Sequence, residues 1–361
     1  MNTIIIGTDL HKHQFTNYYL FGNEGYGSKY STDKMGMSLF IKDIEKMKAS
    51  GFKVKLAVES TGNTRYFKNE IEKLGVEVTV INTMKFKVIN ESVNKTDKRD
   101  AKTIAEFHQK EMLPRVNISS ERSEKIRRMI GIRKELVRSR VKMKNTIHGI
   151  LLGFGIITKA GLLNSVKGMN SVIDMVEDKE NKVIIETIVD TIKKLSEQIK
   201  DIEIKILDFT KGDRVVEILQ SIPGTGIINA VTARAYIDDI KRFSHYNKFS
   251  AYCGLVPWVQ CSDEKMHYGK ITKRGPVELR TVIVQMVIGM IRCKEEKDNR
   301  LMTSYRNMKK IKGSGKALVA TARKLTKIIW TMITNDEDYK KEKTNAVYDK
   351  IFVKEINEKT A

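Results

Sequence analysis

Apolar positions in the first hundred residues follow two periods. Thr3-Ile4-Ile5-Ile6-Gly7-Thr8 is a continuous run that reads as a buried strand and stops at Asp9. Val54-Lys55-Leu56-Ala57-Val58 alternates with a period of two and stops at Glu59. Residues 14–21 and 26–31, split by Gly22-Asn23-Glu24-Gly25, predict a hairpin, and 76–81 predicts one more strand. Between them the period changes to that of a helix. Met37, Phe40, Ile41, Ile44 and Met47 mark one helix over 35–49, and a second is expected over 64–74. Lys95-Thr96-Asp97-Lys98-Arg99-Asp100-Ala101 has the form of a helix start with an acidic first turn. Three meandering strands, then helix–strand units, then a late acidic helix predict an α/β N-terminal domain of RNase H-like order.

Further along, 119–148 predicts a long basic helix, capped by Ser119 or Ser120 with Glu121 and Glu124 in its first turn. Ten Lys/Arg, among them Arg127, Arg128, Arg133, Arg138 and Arg140, face three Glu in that stretch. A solvated helix face usually carries both signs, so the imbalance favours contact with a nucleic-acid backbone. Ile185, Ile188, Ile192, Leu195, Ile199, Ile202, Ile206 and Phe209 then recur in steps of three and four, a heptad seam. Charged residues fill most other positions there. A coiled coil joining subunits is the expectation, and one helix of an intramolecular bundle the alternative. Beyond Gly212-Asp213, Ile222-Pro223-Gly224-Thr225-Gly226 before an apolar helix resembles a helix-hairpin-helix, in which Gly224 and Gly226 would let backbone N–H groups reach a phosphate. A plain turn explains the same residues. Lys273 in a basic loop and Arg280 on the following helix are further candidate phosphate contacts. The chain is therefore divided into 1–115, a basic helical linker 116–180, a coiled coil 181–211, a mainly helical C-terminal domain 212–335 and a charged tail 336–361.

Composition sharpens the choice of partner. Across 361 residues, 66 Lys+Arg against 44 Asp+Glu leave a net charge of +22. Such an excess calls for a polyanion, nucleic acid before an anionic membrane surface. No run of about 18 apolar residues predicts a membrane span, and Met1-Asn2-Thr3-Ile4 lacks the basic start of a signal peptide. A cytoplasmic, nucleoid-associated protein is expected. Cys253, Cys261 and Cys293 are odd in number and lack Cys-x-x-Cys spacing, which argues against structural zinc and a disulfide framework.

The candidate chemistry lies in Asp9, Glu59, Asp97 and Asp100. A single acid at a strand end is usually a turn or cap residue. Here two end strands, where ligands collect above a sheet, and two share one helix face, three residues apart. Together they form a hard-oxygen set suited to Mg²⁺ or Mn²⁺ and to phosphoryl transfer. Lys12 is a candidate phosphate contact, and His11 and His13 read as exposed strand-end residues before ligands.

Several stretches in order resemble the DEDD transposases of the IS-one-ten insertion-sequence family, relatives of the Piv-type DNA invertases and bridge-RNA-guided recombinases. They are Gly7-Thr8-Asp9-Leu10-His11-Lys12, Glu59-Ser60-Thr61-Gly62, Lys95 to Ala101, Ile222 to Gly226, Tyr252-Cys253-Gly254-Leu255-Val256-Pro257, and Gly269-Lys270-Ile271-Thr272-Lys273-Arg274-Gly275 with Leu279-Arg280. The resemblance implies a RuvC-like domain holding divalent metal through Asp9, Glu59, Asp97 and Asp100. It also implies a coiled-coil insertion and a C-terminal transposase domain whose serine nucleophile maps to Ser262. The family usually has glycine after that serine; this chain has Asp263. It further implies double-stranded DNA as substrate, a guide RNA encoded by the element, and a homo-oligomer, dimeric through the coiled coil and tetrameric at the synapse. The serine and the acids fall on separate domains, so a composite site is expected. Two other readings stand beside this one. The first is a junction-resolvase-like nuclease with water as nucleophile. The second is a non-enzymatic basic coiled-coil protein whose acids only cap helices.

Overall fold

In the computed structural model, residues 3–89, 96–262, 265–293 and 299–340 are described. The chain forms two compact units, Met1–Ile118 and Ser119–Ala361. The first holds β1 (Thr3–Leu10), β2 (Gln14–Phe21), β3 (Glu24–Ser31), α1 (Lys34–Ala49), β4 (Lys53–Glu59), α2 (Thr64–Glu72), β5 (Glu77–Ile81), α3 (Thr83–Ile89) and α4 (Asp97–Gln109). Its five-stranded mixed sheet runs β3-β2-β1-β4-β5, with β1 antiparallel to β2 and parallel to β4.

Alternation along the strands sorts the two faces. Ile6, Leu10, Leu56 and Val58 point to a core shared with Phe40 of α1 and Phe67 of α2. Gly7 and Ala57, paired across β1 and β4, lie on the other face under α4. That helix buries Ala101, Ile104, Ala105 and His108, spaced three and four apart. Gly7 is needed for the approach: a Cβ there would meet the Ala101 carbonyl oxygen at 2.1 Å and the Ala105 nitrogen at 2.4 Å.

The second unit holds α5 (Glu121–Gly153), α6 (Val166–Ser171), α7 (Lys179–Thr210), α8 (Arg214–Gln220), α9 (Ile227–Ile237), α10 (Tyr246–Tyr252), β6 (Pro257–Ser262), β7 (Lys265–Ile271), α11 (Val277–Arg292), α12 (Arg300–Lys312) and α13 (Ser314–Asn335). Its main core joins α8, α9, α11 and α13 to the start of α5 and the end of α7. The segments that the sequence separates as linker, coiled coil and C-terminal domain all belong to this unit.

The heptad seam is spent inside the chain. Ile185, Ile192, Ile199 and Ile206 are buried. Ile206 clusters with Ile126 and Ile130 of α5, whereas Ile185 and Ile192 cluster with Ile147 and Leu151. Arg133 meets Glu203 at 2.6 Å and Arg140 meets Ser196 at 3.3 Å, so α5 and α7 run antiparallel. Half of the seam is thus buried within the chain, which is the intramolecular alternative, while Ile188, Leu195 and Ile202 are half-buried and Phe209 is exposed. A narrow apolar stripe needs one partner, and the basic helix of the same chain supplies it. The start of the expected charged tail is also anchored, since Arg214 pairs with Asp336 and Asp338, each at 2.9 Å.

Candidate metal centre and nucleic-acid surfaces

The site of the first unit follows from register. Thr8 pairs with Val58, so the next residues, Asp9 and Glu59, end neighbouring parallel strands on the face that α4 covers. Thr96 caps α4 by accepting from the Arg99 N–H at 3.3 Å, which sets Asp97 and Asp100 in the first turn. Both acids extend the buried stripe of α4 beyond Ala101, over the sheet end where Asp9 lies.

Asp9 is buried. His11 Nε2 stands 3.1 Å from its carboxylate and 3.6 Å from that of Asp97. Ligand atoms of Asp9, His11 and Asp97 all lie within 4.8 Å of one another, the only such group among the described residues. Glu59 and Asp100 stand outside this tight group but act on it electrically. Burial raises the Asp9 carboxyl above its ordinary pKa; His11 pulls it down, and Asp97 and Asp100 push it up. Glu59 is raised first by burial and then by Asp9 and Asp100, with Lys87 and His11 opposing. Two groups hold Asp97: Gln14 Nε2 donates to it at 3.3 Å, and Lys29 Nζ stands 3.7 Å away. Thr64 donates to the Glu59 carbonyl oxygen at 2.7 Å and fixes the strand end.

This donor set fits a hard divalent cation. Carboxylates that repel one another are held together by the crossing of α4 over β1, and a cation would offset that repulsion. A second sign is Thr16, the cross-strand partner of Asp9, whose buried hydroxyl has no hydrogen-bond partner.

His11 is exposed just past the end of β1, as expected, and stands beside two of the acids; Gln14 and Lys29 carry no signal in the sequence. Lys29 pairs with Thr16, which pairs with Asp9. That row across three strands exists only once the register is known. Lys12 is exposed in the turn between β1 and β2.

In the second unit, several cations of α5 are engaged by other elements. Arg127 donates to the Ala235 carbonyl oxygen at 3.0 Å and lies over the Tyr236 ring. Lys134 reaches Glu278 at 3.1 Å, and Arg133 is held by Glu203. The imbalance within 119–148 is thus partly made up by acids distant in sequence. Arg128 and Arg138 differ: they pair only along α5, with Glu124 and Glu135, and are about 70% exposed (71% and 70%). Gly224, at φ +73°, packs against Gly289 of α11, where a Cβ would come within 2.4 Å of backbone. Packing explains that glycine. Gly226 caps α9 with open space around it.

The Gly-Leu-x-Pro stretch and the basic Gly-rich stretch prove to be two sides of one antiparallel ribbon. Ser262 ends β6 and pairs with Lys265 at the start of β7. The Ser262 side chain lies outside what the structure describes, as does Asp263. Arg280 Nη1 donates to the Lys273 carbonyl oxygen at 3.0 Å and so ties α11 to the ribbon base.

Fold and acids together give the outline of a class: a mixed sheet with acids gathered at its strand ends, in a chain that also carries a basic helical unit. Comparison with known proteins gives the family. Residues 6–156 match the family model of DEDD transposases of the IS110 type, and residues 216–302 match that of the transposase IS116/IS110/IS902 family. The transposase for insertion sequence element IS1111A of Coxiella burnetii is 25% identical over 339 residues, covering 93% of this chain and 91% of that protein. The transposase for insertion sequence element IS1328 of Yersinia enterocolitica is 26% identical over 349 residues, 94% of this chain and 99% of its own. This chain belongs to the IS110 family of DEDD insertion-sequence transposases, enzymes that act on DNA. No described helix is long and apolar enough to cross a membrane.

Proposed function

We propose that this transposase cuts and rejoins double-stranded DNA at an RNase H-like (RuvC-like) site. Asp9, Glu59, Asp97 and Asp100 would hold Mg²⁺ or Mn²⁺, and Ser262 would be the nucleophile. One observation carries the metal half: burial and mutual repulsion raise Asp9 and Glu59 at a site assembled from β1, β4 and α4. When bound, the ion would offset negative charge growing on the phosphoryl oxygens. The protein's own groups do the rest. Gln14 and Lys29 orient Asp97, the capped first turn fixes Asp100, and Thr64 fixes Glu59. Lys12, Arg128, Arg138, Lys273 and Arg280 supply backbone contacts.

In the serine step, Ser262 Oγ forms a bond to phosphorus as a deoxyribose oxygen leaves. The serine proton is released, and the departing oxygen takes one up. The ester so formed conserves the bond for rejoining, when a deoxyribose hydroxyl of the new partner strand displaces the serine. An element-encoded guide RNA completes this reading, supported by the net charge of +22. So does a homo-oligomer, formed through surfaces other than the α5–α7 seam.

The test is to trap a covalent protein–DNA adduct with DNA carrying the element ends, the flanking RNA and Mg²⁺. Wild type should form it, and Ser262→Ala and Asp9→Asn should not. Normal cutting by Ser262→Ala would replace this mechanism with hydrolysis by water.

A further inference from the structure

The ribbon of β6 and β7 carries an aromatic side chain that the mechanism above does not use. Trp258 is 51% exposed. Its indole rests on the facing strand at Gly269, where a Cβ would come within 2.9 Å of Trp258 Cε3. A glycine beneath an aromatic ring gives it a flat seat. Two other described aromatic side chains of this unit are engaged. Trp330 donates its Nε1–H to the Phe243 carbonyl oxygen at 3.1 Å, and Tyr252 lies beneath Arg242 and donates to the Tyr236 carbonyl oxygen at 3.2 Å.

The ribbon is firmly based. Thr272 N–H donates to Val256 O at 2.9 Å and Lys273 N–H to Gly254 O at 3.1 Å, which prolongs the ladder past β7. Gly254 and Gly275, at φ +67° and +97°, make backbone crossings too close for a Cβ. Lys270, Lys273 and Arg274 are exposed, and its acids, Asp263 and Glu264, are confined to the connection between the strands, neither 255–262 nor 265–277 containing an Asp or Glu. An exposed ring on a rigid basic ribbon suits a ligand with a π face and a phosphate backbone. Ser262 lies four residues further along the same strand, about 13 Å at the usual rise.

We propose that Trp258 is a stacking platform for an unpaired base of bound nucleic acid, with Lys270, Lys273 and Arg274 on the adjoining phosphates. Strand exchange requires bases to leave their pairs, and such a seat would hold one near the serine. The proposal deepens the reading above by naming a base-contacting residue; it needs neither the metal centre nor the serine hydroxyl.

The test uses the full chain in EDTA, with Trp330→Phe leaving Trp258 as the sole tryptophan. Short mixed-sequence single-stranded DNA, the matching RNA, and the DNA duplex are each titrated. Single strands should quench the emission, and the DNA and RNA arms tell which strand supplies the base. Trp258→Ala should weaken single-strand binding by about 5- to 150-fold with an unchanged salt slope, and Trp258→Phe should retain most of it. Lys270→Ala should instead lower the salt slope. A difference spectrum between wild type and Trp258→Phe gives the same readout if Trp330→Phe folds poorly. Unchanged emission on saturation with labelled single strands, or full affinity in Trp258→Ala, overturns the proposal. Equal quenching by duplex overturns its unpaired-base part. Neither result bears on adduct formation by Ser262, which is measured separately.

Discussion

Gly7 of β1 and Ala101 of α4 cross so closely that a Cβ on Gly7 would lie 2.1 Å from the Ala101 carbonyl oxygen. This crossing brings the first turn of α4 down onto the strand ends. Gly7→Ala should push the helix away and cost about 1–3 kcal/mol by overpacking. Urea unfolding should show that loss, and DNA processing should fall with it although no acid has changed.

The acids are expected to trade stability for function. Both Asp9 and Glu59 have folded-state pKa values raised above their ordinary ones. Their protonated forms therefore favour the native state. That contribution is fully present below the ordinary carboxylate range and is lost as pH rises through the raised values. Without metal, Asp9→Asn and Glu59→Gln should melt above wild type at neutral pH, and the difference should vanish near pH ~4. Thermal melts in EDTA across that range check the sign. Added Mn²⁺ should reverse the order by stabilising wild type alone.

Because the heptad column packs against α5, Ile199→Ala should lower the stability of the chain itself, by about 2–4 kcal/mol. The loss should not depend on protein concentration. Light scattering should give the same oligomeric state for variant and wild type. A shift toward monomer with unchanged chain stability would return the seam to an intermolecular role.

Cations on α5 should separate into two kinds. Arg127→Ala removes a carbonyl hydrogen bond and the Tyr236 stack, and should destabilise the fold by about 1–2 kcal/mol. Arg128→Ala and Arg138→Ala should leave melting unchanged while lowering the slope of DNA affinity against salt by about one each. Filter binding at several salt concentrations distinguishes them.

The five strands of the first unit and its helices α1, α2 and α4 were legible from their apolar periods and cap, α3 was not read, and the acids stood out because they punctuate those periods. Gln14 and Lys29 were not legible, since each reaches Asp97 of α4 from a strand and the spatial order of the strands is absent from a single sequence. The heptad of α7 named its own stripe but not its partner: Ile126, Ile130 and Ile147 mark a packed side of α5, and nothing in their spacing says which helix packs on it. Arg127 and Arg133 looked unpaired for a similar reason, as Ala235 and Glu203 lie 108 and 70 residues away. The ribbon was hidden because its strands are short, with a register shift between Pro257 and Val259.

Mn²⁺ titration of the intact protein by calorimetry addresses the acidic centre most directly. Wild type should bind Mn²⁺, and Asp9→Asn and Asp97→Asn, each checked to be folded, should lose that binding together with DNA cleavage. Mn²⁺ affinity and DNA processing that survive both substitutions would contradict the account.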